Sequence, residues 1–207
     1  MKENSIIKDT LILTLITLVA GLALGGVQYI TAAPIAAANK AALEEAYMSV
    51  FPSAASFEDY ADFNEEEANK LVHATEIGTD ADITAASVAK DSSGADIGYV
   101  FTVTTHKGYG GDITLTVGID SATNKMNGYS ITDISETPGL GMKSTEPKFM
   151  SQFEGLSMEV EKYTVTKSSP AKEGEIEAIG GATITSRAVT NAVNAVMYYY
   201  KHIAGLE

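Results

Sequence analysis

Two short glycine-rich segments hold the residue types that could carry chemistry. The first is Ser135-Glu136-Thr137-Pro138-Gly139-Leu140-Gly141-Met142-Lys143, directly after a strand-like stretch. Pro138-Gly139 suits the centre of a type II turn, and Gly141 lets backbone lie close to a flat ligand. The second is Ile179-Gly180-Gly181-Ala182-Thr183-Ile184-Thr185-Ser186-Arg187-Ala188-Val189, a strand-like approach, a turn of small residues, a run of hydroxyls and the start of a helix. Thr185 or Ser186 is placed to cap that helix, where free backbone N–H groups favour an anion. Gly181 and Ala182 leave room beside the Thr183 hydroxyl for a bulky phosphoryl group. Taken singly, one segment is a common turn and the other an ordinary capped helix start.

Other chemistries find little support. His73, His106 and His202 are scattered without ligand spacing, and no serine sits in a G-x-S-x-G elbow. There is no G-x-G-x-x-G nicotinamide fingerprint. With zero Cys among 207 residues, disulfides, thiolate-held zinc and iron–sulfur clusters are excluded. A net charge of −13 argues against nucleic acid, which needs clustered Lys and Arg. The charge is uneven: residues 1–40 carry three Lys against Glu3 and Asp9, a net +1, which leaves −14 on the remainder.

The elements that must position the two segments are legible in outline. From Thr10 to Asn39 no residue is charged, and Leu11 to Leu24 is dense in Leu, Ile and Val, so residues 10–33 read as one transmembrane helix. Gly21, Gly25 and Gly26 would let a neighbouring helix approach in lipid. A cleaved signal peptide, with Thr31-Ala32-Ala33 as the site, is the rival; the apolar run is long for one. The lysines of residues 1–9 argue for that tail in the cytoplasm and the acidic domain, 34–207, on the extracytoplasmic side of the cell membrane.

Ile35 to Met48 continues as helix, and residues 52–69 read as loop and short helix, with Glu65-Glu66-Glu67 a solvated face. Gly98–Thr105 and Ile113–Ile119 alternate as the arms of a β-hairpin around Gly108-Tyr109-Gly110-Gly111. Further strands are expected at Met126–Ile134 and Met158–Thr166, a turn at Pro170–Gly174, and an amphipathic helix from Ser186 to about Ile203, ended by Gly205. Tyr198-Tyr199-Tyr200 on that helix reads as packing. The fold class is α+β, an antiparallel sheet with flanking helices.

Together the two segments, the Gly-Tyr-Gly-Gly hairpin and the single apolar N-terminal helix resemble the FMN-binding domain of the RnfG/RsxG family and the related NqrC subunits. Those families carry an ETPGLG-type loop and an S/T-G-A-T motif. The resemblance implies FMN esterified through its phosphate to a threonine by an ApbE-type flavin transferase. The acceptor falls on Thr183, flanked by Gly181 and Ala182, with Thr185 and Ser186 close by; Thr185 is the alternative acceptor. Gly180 stands where Ser or Thr is usual, and Glu177 where Asp is usual. Glu136, Thr137, Gly139, Leu140 and Gly141 would lie against the isoalloxazine ring. A phosphoester also removes one negative charge and abolishes dissociation from an acidic domain, and Arg187 can offset the rest.

By the same resemblance the protein is an electron carrier of the Rnf complex, a ferredoxin:NAD⁺ oxidoreductase coupled to Na⁺ or H⁺, with RnfA, RnfB, RnfC, RnfD and RnfE as partners. The competing reading is a membrane-anchored ligand-binding or assembly module without redox activity.

Overall fold

The computed structural model describes residues 3–74, 81–170, 172 and 174–206, with side chains from residue 6 onward. The chain divides into two units, Met1–Leu43 and Glu44–Glu207.

A single helix, α1, runs over Glu3–Val50 with Pro34 inside it. It is long and apolar enough to cross a membrane, and none of its most apolar window is buried in protein. Thr10, Thr14 and Thr31 donate their hydroxyls to the carbonyls of Ile6, Thr10 and Val27, four residues back, at 2.8–2.9 Å. Such back-bonding satisfies a hydroxyl where no water is at hand.

The second unit is a five-stranded antiparallel meander in the order β1-β2-β3-β4-β5. Its strands are β1 (Ser56–Asp59), β2 (Ala81–Lys90), β3 (Asp96–Thr105), β4 (Ile113–Asp120) and β5 (Lys125–Ile134). The β3–β4 hairpin pairs Gly98 with Asp120 through to Thr105 with Ile113, as its alternation requires. A short helix, α2 (Glu65–His73), is capped by Asn64, whose side chain accepts from the Glu67 N–H at 3.1 Å. A single helical turn, α3 (Pro147–Met150), follows the first glycine-rich segment and buries Phe149. The long C-terminal helix α4 (Thr183–Ala204) buries Ala188, Val189, Ala192, Val193, Val196 and Met197 against the sheet and ends at Gly205, in the left-handed region at φ +66°.

Two expectations are corrected and one strand is added: residues 52–69, expected as loop and short helix, also hold β1, which is a strand because it pairs with β2 from Ser56–Lys90 to Asp59–Ser87. β2 went unread in the sequence, because its alanine-rich run ADITAASVAK lacks the β-branched and aromatic density that marks strands. The strand expected over Met158–Thr166 shrinks to β6 (Thr164–Thr166), which pairs in parallel with β7 (Glu175–Glu177) in a separate small sheet. The reason lies in α4: Asn194 accepts from the Tyr163 N–H at 2.8 Å and donates to the Tyr163 carbonyl at 2.9 Å. A helix side chain thus takes the bonds a neighbouring strand would have made. The turn at Pro170–Gly174 includes residues 171 and 173, which lie outside the described residues.

Tyr199 and Tyr200 are core residues, edge-on to Phe101 and Tyr99 at 5.8 and 6.0 Å, so the tyrosine cluster is packing.

Candidate functional site

β5 delivers the chain directly into the first glycine-rich segment. Leu140 N–H donates to the Thr137 carbonyl at 3.1 Å with Gly139 at φ +75°, the type II geometry expected of Pro138-Gly139. A 3₁₀ turn, Gly141–Thr145, follows and is fixed from beneath. Tyr129 of β5 donates its phenol to the Ser144 carbonyl at 2.6 Å, and the Ser144 hydroxyl donates to the Gly141 carbonyl at 2.8 Å. Burial pushes the Tyr129 phenol far above its ordinary value, so it stays a donor at any physiological pH.

The β3–β4 loop leans on this segment. Tyr109 N–H donates to Glu136 Oε1 at 2.7 Å. A Cβ on Gly108 would lie 3.1 Å from that oxygen, and one on Gly110 would collide with the Ser135 carbonyl, so glycines permit the approach. Glu136 is only 6% exposed. A carboxylate so deeply placed requires polar company, and the Tyr109 amide supplies part of it.

The second segment folds into a turn in which Ala182 N–H donates to the Ile179 carbonyl at 2.9 Å with Gly181 at φ +79°. Ser186, from the first turns of α4, accepts from the Ile179 N–H and donates to the Ala182 carbonyl, both at 2.9 Å. This clamp corrects the expected helix start. α4 begins at Thr183 with Ala182 at its N-cap, and neither Thr185 nor Ser186 caps it. The opening N–H groups of α4 are therefore left uncapped by any side chain, which keeps the positive end of the helix available to a ligand.

The two segments meet. A Cβ on Gly181 would lie 3.1 Å from Leu140 Cδ2, while one on Gly141 would collide with the Glu136 carboxylate and sit 2.7 Å from Thr185 Oγ1. Between them lies a cavity of about 550 Å³ lined by Glu136, Thr137, Leu140 and Gly141 from one side and Gly181, Ala182, Thr183 and Thr185 from the other. That volume is within the range of ligand pockets, about 300–1,000 Å³. Of the residues expected at the site, Gly139 and Ser186 are not in the lining: Gly139 shapes the turn, and Ser186 is fully buried in its clamp.

Tyr109 and Ile184 complete the wall and were not singled out from the sequence. Ile184 was hidden because the helix was read as starting later, whereas Tyr109 was visible inside its glycine hairpin with nothing to say where the loop pointed. Both are exposed, at 52% for Ile184 and 71% for Tyr109, and with Leu140 they form an apolar rim. Thr183 is half-buried at the first position of α4, whereas Thr185 is 1% exposed.

Residues 108–197 match the family model of the FMN-binding domain, and residues 1–50 match that of the RnfG N-terminal region. The chain is 34% identical to a subunit of the Na⁺-translocating ferredoxin:NAD⁺ oxidoreductase complex of Acetobacterium woodii, over 96% of this chain and 93% of that one. The chain belongs to the RnfG family. The proton-translocating counterpart from Clostridium ljungdahlii is 31% identical over 92% of this chain and 89% of its own length. Among solved structures, the NqrC of Shewanella oneidensis superposes with a TM-score of 0.49 at 18% identity, over 76% of this chain and 88% of that one.

The stretch matched by the FMN-binding domain contains every residue that lines the cavity, from Tyr109 to Thr185. The lining of this RnfG-family chain fits the group. An isoalloxazine needs a flat apolar wall with a few polar atoms, which Tyr109, Leu140 and Ile184 offer beside Glu136 and Thr185. A phosphate needs a hydroxyl or N–H cluster among small residues, which the start of α4 offers beside Gly181 and Ala182.

Proposed function

We propose that this chain is the membrane-anchored electron-transfer subunit of an ion-translocating ferredoxin:NAD⁺ oxidoreductase, with FMN held in the cavity and esterified through its phosphate to Thr183. When bound, FMN supplies reversible electron acceptance and donation, which no amino-acid side chain of this cysteine-free chain offers. The residues hold and orient it: Leu140 and Ile184 flank the ring space, Gly141 and Gly181 keep the wall free of side chains, and Glu136 ties the Tyr109 loop over it.

One observation carries this reading. Two segments some forty residues apart in sequence converge on one cavity, and at its edge Thr183 is reachable while sitting on an uncapped helix N-terminus. Accessibility favours Thr183 over Thr185, since an ApbE-type transferase must reach the hydroxyl it modifies. The apolar span of α1 supports anchoring at the membrane, and the lysines of the short tail favour a cytoplasmic tail with the acidic domain on the opposite side. The partners are the other Rnf subunits.

The test is intact mass, with peptide mapping across residues 174–187, on protein co-produced with an ApbE-type transferase. One added FMN is expected on the wild type and none on Thr183→Val; Thr185→Val is expected to keep it. Retention by Thr183→Val and loss by Thr185→Val would move the ester to Thr185. Absence of added mass from the wild type would reject the covalent reading. A reversible ligand-binding module would instead release any chromophore on acid precipitation.

A further inference from the structure

The β3–β4 loop is gripped at its base by a charge cluster that the electron-transfer reading does not use. His106 Nε2 lies 3.0 Å from Asp82 Oδ2 on β2, and its Nδ1 lies 3.0 Å from Asp112 Oδ1, across the loop that begins at Lys107. His73 at the end of α2 shares the same aspartate, with its Nε2 2.9 Å from Asp82 Oδ1. Lys107 is the next residue in the chain and has an interaction of its own. Asp82 and Asp112 are the charged groups that act on the His106 ring.

An imidazole can donate from both nitrogens only when it is protonated; the neutral ring turns one lone pair toward a carboxylate. Three residues beyond His106, Tyr109 donates its N–H to Glu136 and lines the cavity. Asp112 closes the far side of the same loop.

We propose that His106 is a positioning residue for the cavity: its imidazolium, bonded to Asp82 and Asp112 together, clasps the Gly108–Gly111 loop so that Tyr109 stays on Glu136, and loss of the proton loosens that wall.

Hydrogen bonds donated to Asp82 and then to Asp112 raise the His106 pKa above its ordinary 6.5. The sign follows. A group whose folded value is raised holds its contribution below the unfolded value and loses it as pH climbs through the folded one. The clasp is therefore fully closed below pH 6.5 and opens as pH climbs through the raised value of His106. The ring is about half exposed, so each contact is modest, worth about a factor of two to five in the closed population.

The consequence for the cofactor rests on the cavity being the flavin site, whereas the clasp itself does not, and two arms of one experiment separate them. In the first, the full chain without flavin is followed by NMR in detergent, reading the His106 ring shift and the Tyr109 amide protection factor against pH. Protection is expected to fall about threefold as His106 titrates. It should be low and pH-independent in His106→Gln, and held high at every pH in His106→Arg, whose fixed charge spans both carboxylates. A Tyr109 amide that keeps one protection factor while His106 titrates overturns the clasp.

In the second arm, iodide quenching of flavin fluorescence is measured on the loaded protein. Quenching is expected to rise with pH in the wild type and to stay high in His106→Gln. Identical quenching in both, with the amide arm positive, overturns the link to the cavity. A protein that takes up no flavin mass sinks the function reading and leaves the amide arm to decide the clasp.

Discussion

At the scale of single residues, the site depends as much on missing side chains as on present ones. Gly141 lies under the Glu136 carboxylate and Thr185 Oγ1, so Gly141→Ala must push one of them out of place. It is expected to cost roughly 1–3 kcal/mol of stability, the usual range for overpacking, and to lower flavin loading well before the fold is lost. Urea titration beside intact-mass occupancy measures the two effects, and a variant that loads normally would show that the wall has slack. Glu136→Ala removes the acceptor of the Tyr109 N–H and is expected to free the β3–β4 loop, whereas Glu136→Gln retains an acceptor oxygen. Amide exchange at Tyr109 should therefore separate the two variants. The turn chemistry of the glycines in both segments was legible in the sequence. That Ser186 belongs to a buried clamp was not, because its partners, Ile179 N–H and the Ala182 carbonyl, are set only when the turn closes.

At the scale of elements, α4 holds the site twice. Its first turn carries Thr183 and Thr185 to the cavity, and its middle fixes the approach to β6 through Asn194. Replacing Asn194 by Leu removes both hydrogen bonds that its amide makes with the Tyr163 backbone. At about 0.5–1.5 kcal/mol net for each, the loss is expected to be about 1–3 kcal/mol. A urea midpoint within error of wild type would contradict this account. β2 shows the reverse case. Its alanine-rich stretch is a strand because β1 and β3 pair with it on both edges and its Ile83 and Ala86 face the core. Neighbours overrode a weak local preference, which is why propensity missed it and found the β3–β4 hairpin.

At the scale of the whole molecule, the division near Leu43 predicts separable parts. A chain starting at Glu44 is expected to remain in solution without detergent and to accept flavin, while the full chain partitions with membranes; sedimentation after lysis decides it. Sidedness is testable because the chain has no cysteine of its own. A single Ser92→Cys, on the exposed β2–β3 turn, is expected to react with an impermeant maleimide in intact spheroplasts. Labelling confined to inverted vesicles would reverse the topology. The apolar span, the acidic region, the central hairpin, the C-terminal helix and the two motifs can be read along the chain, because each is written in local periodicity, charge or turn chemistry. The start of α4 at Thr183 waits on a turn that closes to bring Ser186 onto the Ile179 N–H and the Ala182 carbonyl. The burial of Glu136 under the Tyr109 loop and the meeting of His73 and His106 on Asp82 join separate elements, and such contacts exist only once the sheet has packed.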